Sequence, residues 1–196
     1  DFLLFSARTY YRLFELYNAD FWPAHVLALG LGLAMWIALL QGRAWAPRVA
    51  CALLAAAWLW VAWAFHWQRY ATINWAAIWF AAAFAIEGAL LLCWAVPAIG
   101  ANIVVRQVSG ARRLGSFLLL VALAVQPTIG TLLGRPWPQA EVFGLAPDPT
   151  VLGMLGVLLL VRPGNPTGAA ARRRLAIAWW LLWPIPLLWC AITGMT

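Results

Sequence analysis

Glu87 is an acidic residue inside a long apolar run, and Gln126 interrupts another such run. The first run, Trp75–Ile99, is otherwise uncharged, and the second is Gly115–Leu133. A carboxylate held in hydrocarbon is costly and is often functional. The two side chains are predicted to lie at similar depth. They could handle a proton or a cation, or a protonated Glu87 could simply hydrogen-bond to another helix, with Gln126 as a partner.

The surroundings of Glu87 can be predicted from helical periodicity. Residues four apart lie on one face of a helix, so Ala77, Ala81, Ala85 and Ala89 form a stripe of small residues suited to close helix contact. Glu87 projects roughly opposite this stripe. Desolvation disfavours a charged carboxylate, which predicts a neutral Glu87.

His25 and His66 are the two histidines of the chain. One lies near the start of a first apolar run and the other at the end of a second, so antiparallel neighbours would bring the imidazoles to similar depth. They could share a metal, a haem or a proton relay. They could equally be bonded to backbone carbonyls or to loop carboxylates. No H-x-x-x-H pair or thiolate ligand supports a metal.

Further polar residues lie between the apolar runs, in segments 66–74 and 134–149. They are candidate ligand-binding residues together with the two histidines: Arg69, Tyr70, Asn74, Glu141 and Asp148. Arg69 is predicted to pair with Glu141 or Asp148. The two segments are therefore expected to pack together as a polar cap that includes His66.

The composition indicates which kind of chain must position these residues. Hydrophobic residues make up 65% of the 196 positions and charged residues 10%, whereas soluble domains carry about 25% charged residues. The chain therefore lacks the polar surface of a soluble protein, and a lipid bilayer is its expected solvent. The net charge of +7 comes from arginines in short loops, which is typical of membrane topology rather than of nucleic-acid binding.

Apolar runs of about 20 residues predict membrane-spanning helices. The chain is predicted to be an all-α integral membrane protein with six transmembrane helices in a single domain, 1–196. The predicted spans are 21–40, 49–65, 75–99, 115–133, 150–161 and 175–195.

Three parts of this plan are irregular. The fifth helix is short or broken, with Asp148 predicted as its N-cap and AEVFGLAP, 140–147, helping to complete the crossing. Pro184 and Pro186 are expected to kink the sixth. Residues 1–20 precede the first span, and SARTYYRLFELYN within them suits an interfacial helix or an ordered tail packed on the loops.

Arginine counts predict the orientation. With six spans, one side collects nine arginines and the other side four. The nine-arginine side is expected to be cytoplasmic, with both termini on the outer side. The nine are Arg43, Arg48, Arg106, Arg112, Arg113, Arg162, Arg172, Arg173 and Arg174.

Several enzyme classes are disfavoured. The three serines do not accompany the histidines, and the three cysteines form no C-x-x-C, which argues against a serine protease and a thiol oxidoreductase. No P-loop, G-x-G-x-x-G or H-E-x-x-H occurs. We therefore expect no catalytic residues and no metal site.

Three functional hypotheses remain. The chain could be a transporter or channel for an ion or small solute, or an accessory subunit of a larger membrane complex or homo-oligomer. It could also be a redox protein binding quinone, or haem through His25 and His66. The residues favour the first.

Three strings resemble a known family: DFLLFSARTYYRLFELYN at 1–18, FHWQRYATINWAAIWF at 65–80 and RPWPQAEVFGLAPDPT at 135–150. They are similar to a catalogued family of small bacterial multi-pass membrane proteins of unknown function. The resemblance covers essentially the whole chain. It implies a multi-pass protein of the bacterial inner membrane and assigns no functional residue.

Overall fold

The computed structural model describes residues 7–96 and 103–194. Helices form most of this part of the chain, in agreement with the predicted helical class. In chain order the α-helices are α1 Ala7–Asp20, α2 Ala24–Leu40, α3 Ala46–Trp60, α4 Ala77–Ala95, α5 Gly110–Leu120, α6 Gln126–Leu132, α7 Pro147–Leu160, α8 Ala169–Trp180 and α9 Pro184–Thr193. The predicted segments 1–6, 97–99 and residue 195 lie outside the described residues.

Shorter helical segments extend some of these helices. A π-helical segment, Val61–Trp67, continues α3 and is followed by a 3-10 turn at Tyr70–Thr72. A second π-helical segment, Val121–Val125, joins α5 to α6. Another 3-10 turn covers Trp137–Gln139.

Within the described residues, four helical stretches are long and apolar enough to cross a membrane: 46–72, 77–95, 110–132 and 169–193. A fifth arises if α1 and α2 count as one span, although they are bent by 88°. Helix α7 is apolar but has only 14 residues. The last predicted span is interrupted just before Pro184, since α8 ends at Trp180 and α9 begins at Pro184.

The expectation of a purely α-helical chain needs one correction. Strand β1, Ile103–Val105, pairs antiparallel with β2, Val161–Pro163, with Val104 opposite Arg162. The Arg106 backbone N–H also donates to the Leu160 carbonyl, at 2.8 Å. The sheet joins the segment that precedes α5 to the end of α7.

Helix α7 lies at the centre of the protein, and glycines let its neighbours approach. A Cβ on Gly156 would lie 2.8 Å from the Gly115 carbonyl oxygen, and a Cβ on Gly115 would lie 2.6 Å from the Gly156 carbonyl oxygen. Helices α5 and α7 therefore touch backbone to backbone. Gly88 of α4 packs on Leu59 of α3 in a similar way.

The bundle has two chemically different ends. At the arginine end, Arg112 of α5 donates to the Leu40 carbonyl at the end of α2, at 2.8 Å, and the β1–β2 sheet lies beside them. At the opposite end, α1 packs on segments 66–74 and 134–146. We call these two segments and α1 together the cap. This segment is helical, as the interfacial-helix alternative predicts, and it packs on the loops, as the ordered-tail alternative predicts.

Candidate functional site

Asn18 of α1 ties three parts of the cap together. Its side-chain N–H groups donate to the carbonyls of Pro138 and Ala140, at 2.7 and 2.8 Å. Its Oδ1 lies 2.9 Å from His25 Nε2 in α2. One buried amide therefore fixes α1, the 134–146 segment and the start of α2 relative to one another.

Tyr17 makes the second set of contacts through α1. Its hydroxyl donates to the Leu145 carbonyl, at 3.0 Å, and accepts from Trp60 Nε1, at 2.8 Å. Phe14 stacks on Phe65, with ring centroids 4.8 Å apart. The cap is therefore an aromatic and hydrogen-bonded layer, and α1 lies between the two loops that were expected to meet directly.

The predicted pairing of Arg69 with Glu141 or Asp148 is wrong. Arg69 donates to Asp20 at the end of α1, at 2.7 Å. Its guanidinium also lies over the rings of Tyr17 and Phe21, 5.8 and 5.7 Å from their centroids. Helix α1 brings its own carboxylate to Arg69, which explains why the other two acids have different partners.

Tyr70 and Asn74, both candidate ligand-binding residues, form a local turn before α4. Asn74 donates through Nδ2 to the Tyr70 hydroxyl, at 3.0 Å, and accepts from the Ala76 backbone N–H, at 3.0 Å. Tyr70 also packs on Tyr10 of α1. These bonds order the connection between the π-helical segment and α4.

Glu141 pairs with Arg135, whose guanidinium in turn lies 4.1 Å from the centroid of the Tyr11 ring. The Arg135 Nη1–Glu141 Oε1 distance is 3.6 Å, longer than a hydrogen bond. Burial and the nearby Asp148 raise the pKa of Glu141 to about 7, because the attraction of Arg135 only partly offsets them. The cap thus contains a carboxyl group that titrates near neutral pH.

Asp148 is not the N-cap of α7, which begins one residue earlier at Pro147. The carboxylate instead accepts a hydrogen bond from Trp189 Nε1 of α9, at 2.7 Å. Thr150 makes the side-chain hydrogen bonds at the start of α7 instead. Its hydroxyl donates to the Ala146 carbonyl and accepts from the Gly144 N–H. Gly144, at φ +83°, packs on α2 and α3. The non-helical 140–146 segment is therefore shielded by other helices, as expected.

His25 and His66 have different surroundings. His25 is bonded to Asn18, as described above. His66 is fully buried among aromatic rings, with centroids of Phe84 at 4.7 Å, Trp189 at 5.2 Å and Phe80 at 5.9 Å. These rings enclose the imidazole, whereas His25 contacts the Asn18 amide. The expected placement of both histidines at the cap end is nevertheless correct.

Glu87 lies on the buried face of α4 and has no exposed surface. Neither carboxyl oxygen has a hydrogen-bond partner among the described residues, so the predicted bond to Gln126 is not formed. Gln126 begins α6, which packs on the α5–α6 junction and the 137–139 turn. Of the predicted alanine stripe, Ala77 and Ala81 are buried, whereas Ala85 and Ala89 are not.

Other unpartnered polar atoms belong to side chains that contact Phe84 of α4. Phe84, one turn before it, contacts Trp58 at 4.3 Å between ring centroids and His66 at 4.7 Å. Trp58 Nε1 and both His66 ring nitrogens lack hydrogen-bond partners in the described structure and are buried. We call Trp58, His66 and Glu87, grouped about Phe84, the inner polar cluster. Buried polar groups are almost always satisfied, so this clustering is unusual.

Two residues of the candidate site, Trp58 and Asn18, could not be recognised from the sequence. Trp58 is one of 15 tryptophans, and only its burial beside Phe84 distinguishes it. Asn18 lies in a segment whose pattern predicts an amphipathic helix, and an asparagine in such a helix does not indicate a site. Among the described residues, no group of three or more His, Cys, Asp or Glu side chains could hold a metal ion.

Comparison with known proteins finds one family. A family model described as a family of unknown function (DUF6064) matches residues 7–195, which confirms the resemblance to such a family. No curated protein and no solved structure matches the chain.

Proposed function

Because this chain belongs to DUF6064, a family of unknown function, we propose from its own residues that it carries protons across a membrane through Glu87. It would lie in the bacterial inner membrane as a six-span protein, with both termini and the cap on the outer side. The observation that carries the proposal is the inner polar cluster, with a buried Glu87 that has no protein partner in the described structure.

The six crossings are supported by the distribution of charge, and they require two helices shorter than the roughly 30 Å of hydrocarbon to cross. Helix α2 has 17 residues and α7 has 14, which gives about 26 and 21 Å at 1.5 Å per residue. The buried 140–146 segment adds to the length that α7 covers. The arginine end carries nine of the 13 arginines, as a cytoplasmic surface would.

The orientation predicts a specific labelling pattern in intact cells. In a background with Cys51, Cys93 and Cys190 replaced by alanine, Gln139→Cys should react with a membrane-impermeant maleimide. Gly110→Cys should be protected until the membrane is opened. Gly110 suits this probe because nothing lies within 4 Å of a Cβ built there. The reverse pattern would contradict the orientation, and equal reactivity would contradict the assignment of the two ends to opposite sides.

A route for protons is supported by the order of titratable groups from the cap inward. Glu141 and Asp148 lie near enough to interact electrostatically. Asp148 is bonded to Trp189, whose ring contacts the His66 ring. The His66 ring contacts Phe84, and Glu87 lies one turn beyond Phe84 on α4. Imidazole and carboxyl groups exchange protons near neutral pH when their surroundings allow it, and water is a usual partner of such buried groups.

The test is proton uptake into vesicles that contain the purified protein. A potassium diffusion potential set by valinomycin drives uptake, and a trapped pH-sensitive dye reports it. We expect uptake by the unaltered protein. Glu87→Gln should reduce it to the rate of protein-free vesicles, because an amide of the same shape cannot release a proton.

Glu15→Gln is the matched control. Glu15 is also a carboxyl residue, but it lies on α1 and pairs with Arg12 at the protein surface. This variant should conduct normally, and both variants should show unchanged helical circular dichroism. Uptake that survives in Glu87→Gln, or is absent from the unaltered protein, would contradict the proposal. A stoichiometric partner that co-purifies with an inactive protein would favour the accessory-subunit hypothesis.

A further inference from the structure

A basic cavity of about 800 Å³ opens at the arginine end, away from the inner polar cluster. Its walls come from the α2–α3 turn, from β1 and from the start of α5. Four arginines line it: Arg43, Arg48, Arg106 and Arg112. None of its described lining residues is acidic.

The acidic residues that could neutralise these arginines lie elsewhere. The described acids are Glu15, Asp20, Glu87, Glu141 and Asp148. Four of them belong to the cap or the adjoining start of α7, and Glu87 lies within α4. Arg43, Arg106 and Arg112 therefore have no carboxylate partner in the described structure. Several cations around one concave space favour an anion.

The outer-end pocket shows what a compensated basic surface looks like in the same molecule. Arg8, Arg12 and Arg69 line a pocket of about 430 Å³ between α1 and the 69–73 segment. Arg12 is paired with Glu15 and Arg69 with Asp20. Arg43, Arg106 and Arg112 have no such carboxylate partner in the described structure, and this difference favours a ligand in the cavity at the arginine end.

The walls of the basic cavity are held in place by hydrogen bonds. Arg112 donates to the carbonyls of Leu40 and Arg106, at 2.8 and 3.1 Å. The β1–β2 pairing fixes the backbone next to Arg106. The buried Nε of Arg106 has no partner in the described structure. A preformed site loses less entropy on binding than a flexible one.

We propose that this cavity binds a phosphate-bearing anion. Arginine is suited to phosphate because its planar guanidinium donates two parallel hydrogen bonds. The exposed Trp45 also lines the cavity, and tryptophan is common at the level of lipid headgroups. The phosphate could belong to an anionic lipid or be free in solution. This site does not depend on proton transfer through Glu87.

The experiment measures binding to the purified full chain in a neutral detergent at fixed ionic strength. The probes are inorganic phosphate, phosphatidylglycerol and phosphatidylcholine. Native mass spectrometry and the thermal stabilisation of the protein measure their binding. Binding of inorganic phosphate would identify the free anion. Binding of phosphatidylglycerol, in preference to phosphatidylcholine and without binding of phosphate, would identify the lipid headgroup.

Two double variants decide whether the cavity is responsible. Arg43→Gln with Arg106→Gln should weaken binding about thirtyfold, and Arg43→Gln alone about fivefold. Arg172→Gln with Arg173→Gln removes the same charge from α8 at the same end and should leave binding unchanged. If the Arg106 change disturbs folding, Arg43→Gln alone still tests the proposal, because Arg43 is exposed and its replacement should not affect the fold. Absence of binding by phosphate and phosphatidylglycerol, or equal losses in the two double variants, would overturn the proposal.

Discussion

Gly156→Leu is expected to prevent this protein from folding into its native bundle. A Cβ at position 156 would lie 2.8 Å from the Gly115 carbonyl oxygen and 2.9 Å from the Leu119 backbone nitrogen. Both are backbone atoms, so a rotamer change cannot relieve the contact. Leucine is the better helix former by about 1 kcal/mol. Overpacking costs about 1–3 kcal/mol even where side chains can adjust, so the steric term should dominate.

Gly30→Leu is the matched control for this prediction. Gly30 also lies within an apolar helix, but a Cβ there would have no atom within 4 Å. The same change should therefore be tolerated, and its higher helix propensity favours a small gain in stability. Yield of monodisperse protein and thermal unfolding in detergent measure both variants. A Gly156→Leu protein as stable as Gly30→Leu would show that α5 and α7 do not touch at their backbones.

The position of this contact was not accessible from the sequence. Small residues predict close helix packing in membranes. The regular spacing of four alanines therefore predicted that this face of α4 makes the close contact. A close contact of α4 is instead made by Gly88 against Leu59. Glycines occur 15 times, and which of them meet a neighbour depends on how the helices pair. Pairing is a property of the whole bundle.

Helix positions were easier to predict than the sheet. The apolar runs differ from the described helices mainly at their ends, because hydrophobic length alone defines such a run. The β1–β2 sheet joins two three-residue segments that are far apart in sequence. Neither segment has enough residues to show strand alternation, so its pairing could be found only in the folded chain.

The candidate site was predicted in location but not in its contacts. Charge counting placed His66, Glu141 and Asp148 at one end of the bundle, where they are found. The partner of Arg69 was missed because α1 inserts between the loops and contributes Asp20. Gln126 was expected beside Glu87 because similar depth was taken as proximity. Depth does not specify which helices are neighbours, and α4 packs on α3 and α9 rather than on α6.

Asn18→Leu is expected to release the cap without unfolding the rest of the bundle. Leucine has nearly the same size but cannot donate to the carbonyls of Pro138 and Ala140 or bond to His25. Each buried group left without a partner costs about 1–3 kcal/mol. Loss of all three contacts should thus destabilise the cap by about 3 kcal/mol or more. The loop 134–146 would open first, because it contains little regular structure.

Hydrogen–deuterium exchange followed by mass spectrometry measures this opening region by region. In Asn18→Leu, backbone amides of 139–146 and of α1 should exchange faster, whereas those of the β1–β2 sheet should keep their protection. Gln139→Leu is the control within the same loop, since its side chain makes one long bond, 3.3 Å to Glu15, and its exchange should stay close to that of the unaltered protein. Faster exchange at both ends of the bundle would mean that Asn18 stabilises the whole fold. Unchanged exchange in 139–146 would mean that the loop is held without Asn18, by remaining contacts with α1 that include the Tyr17 hydroxyl bond to Leu145 and the Gln139 bond to Glu15.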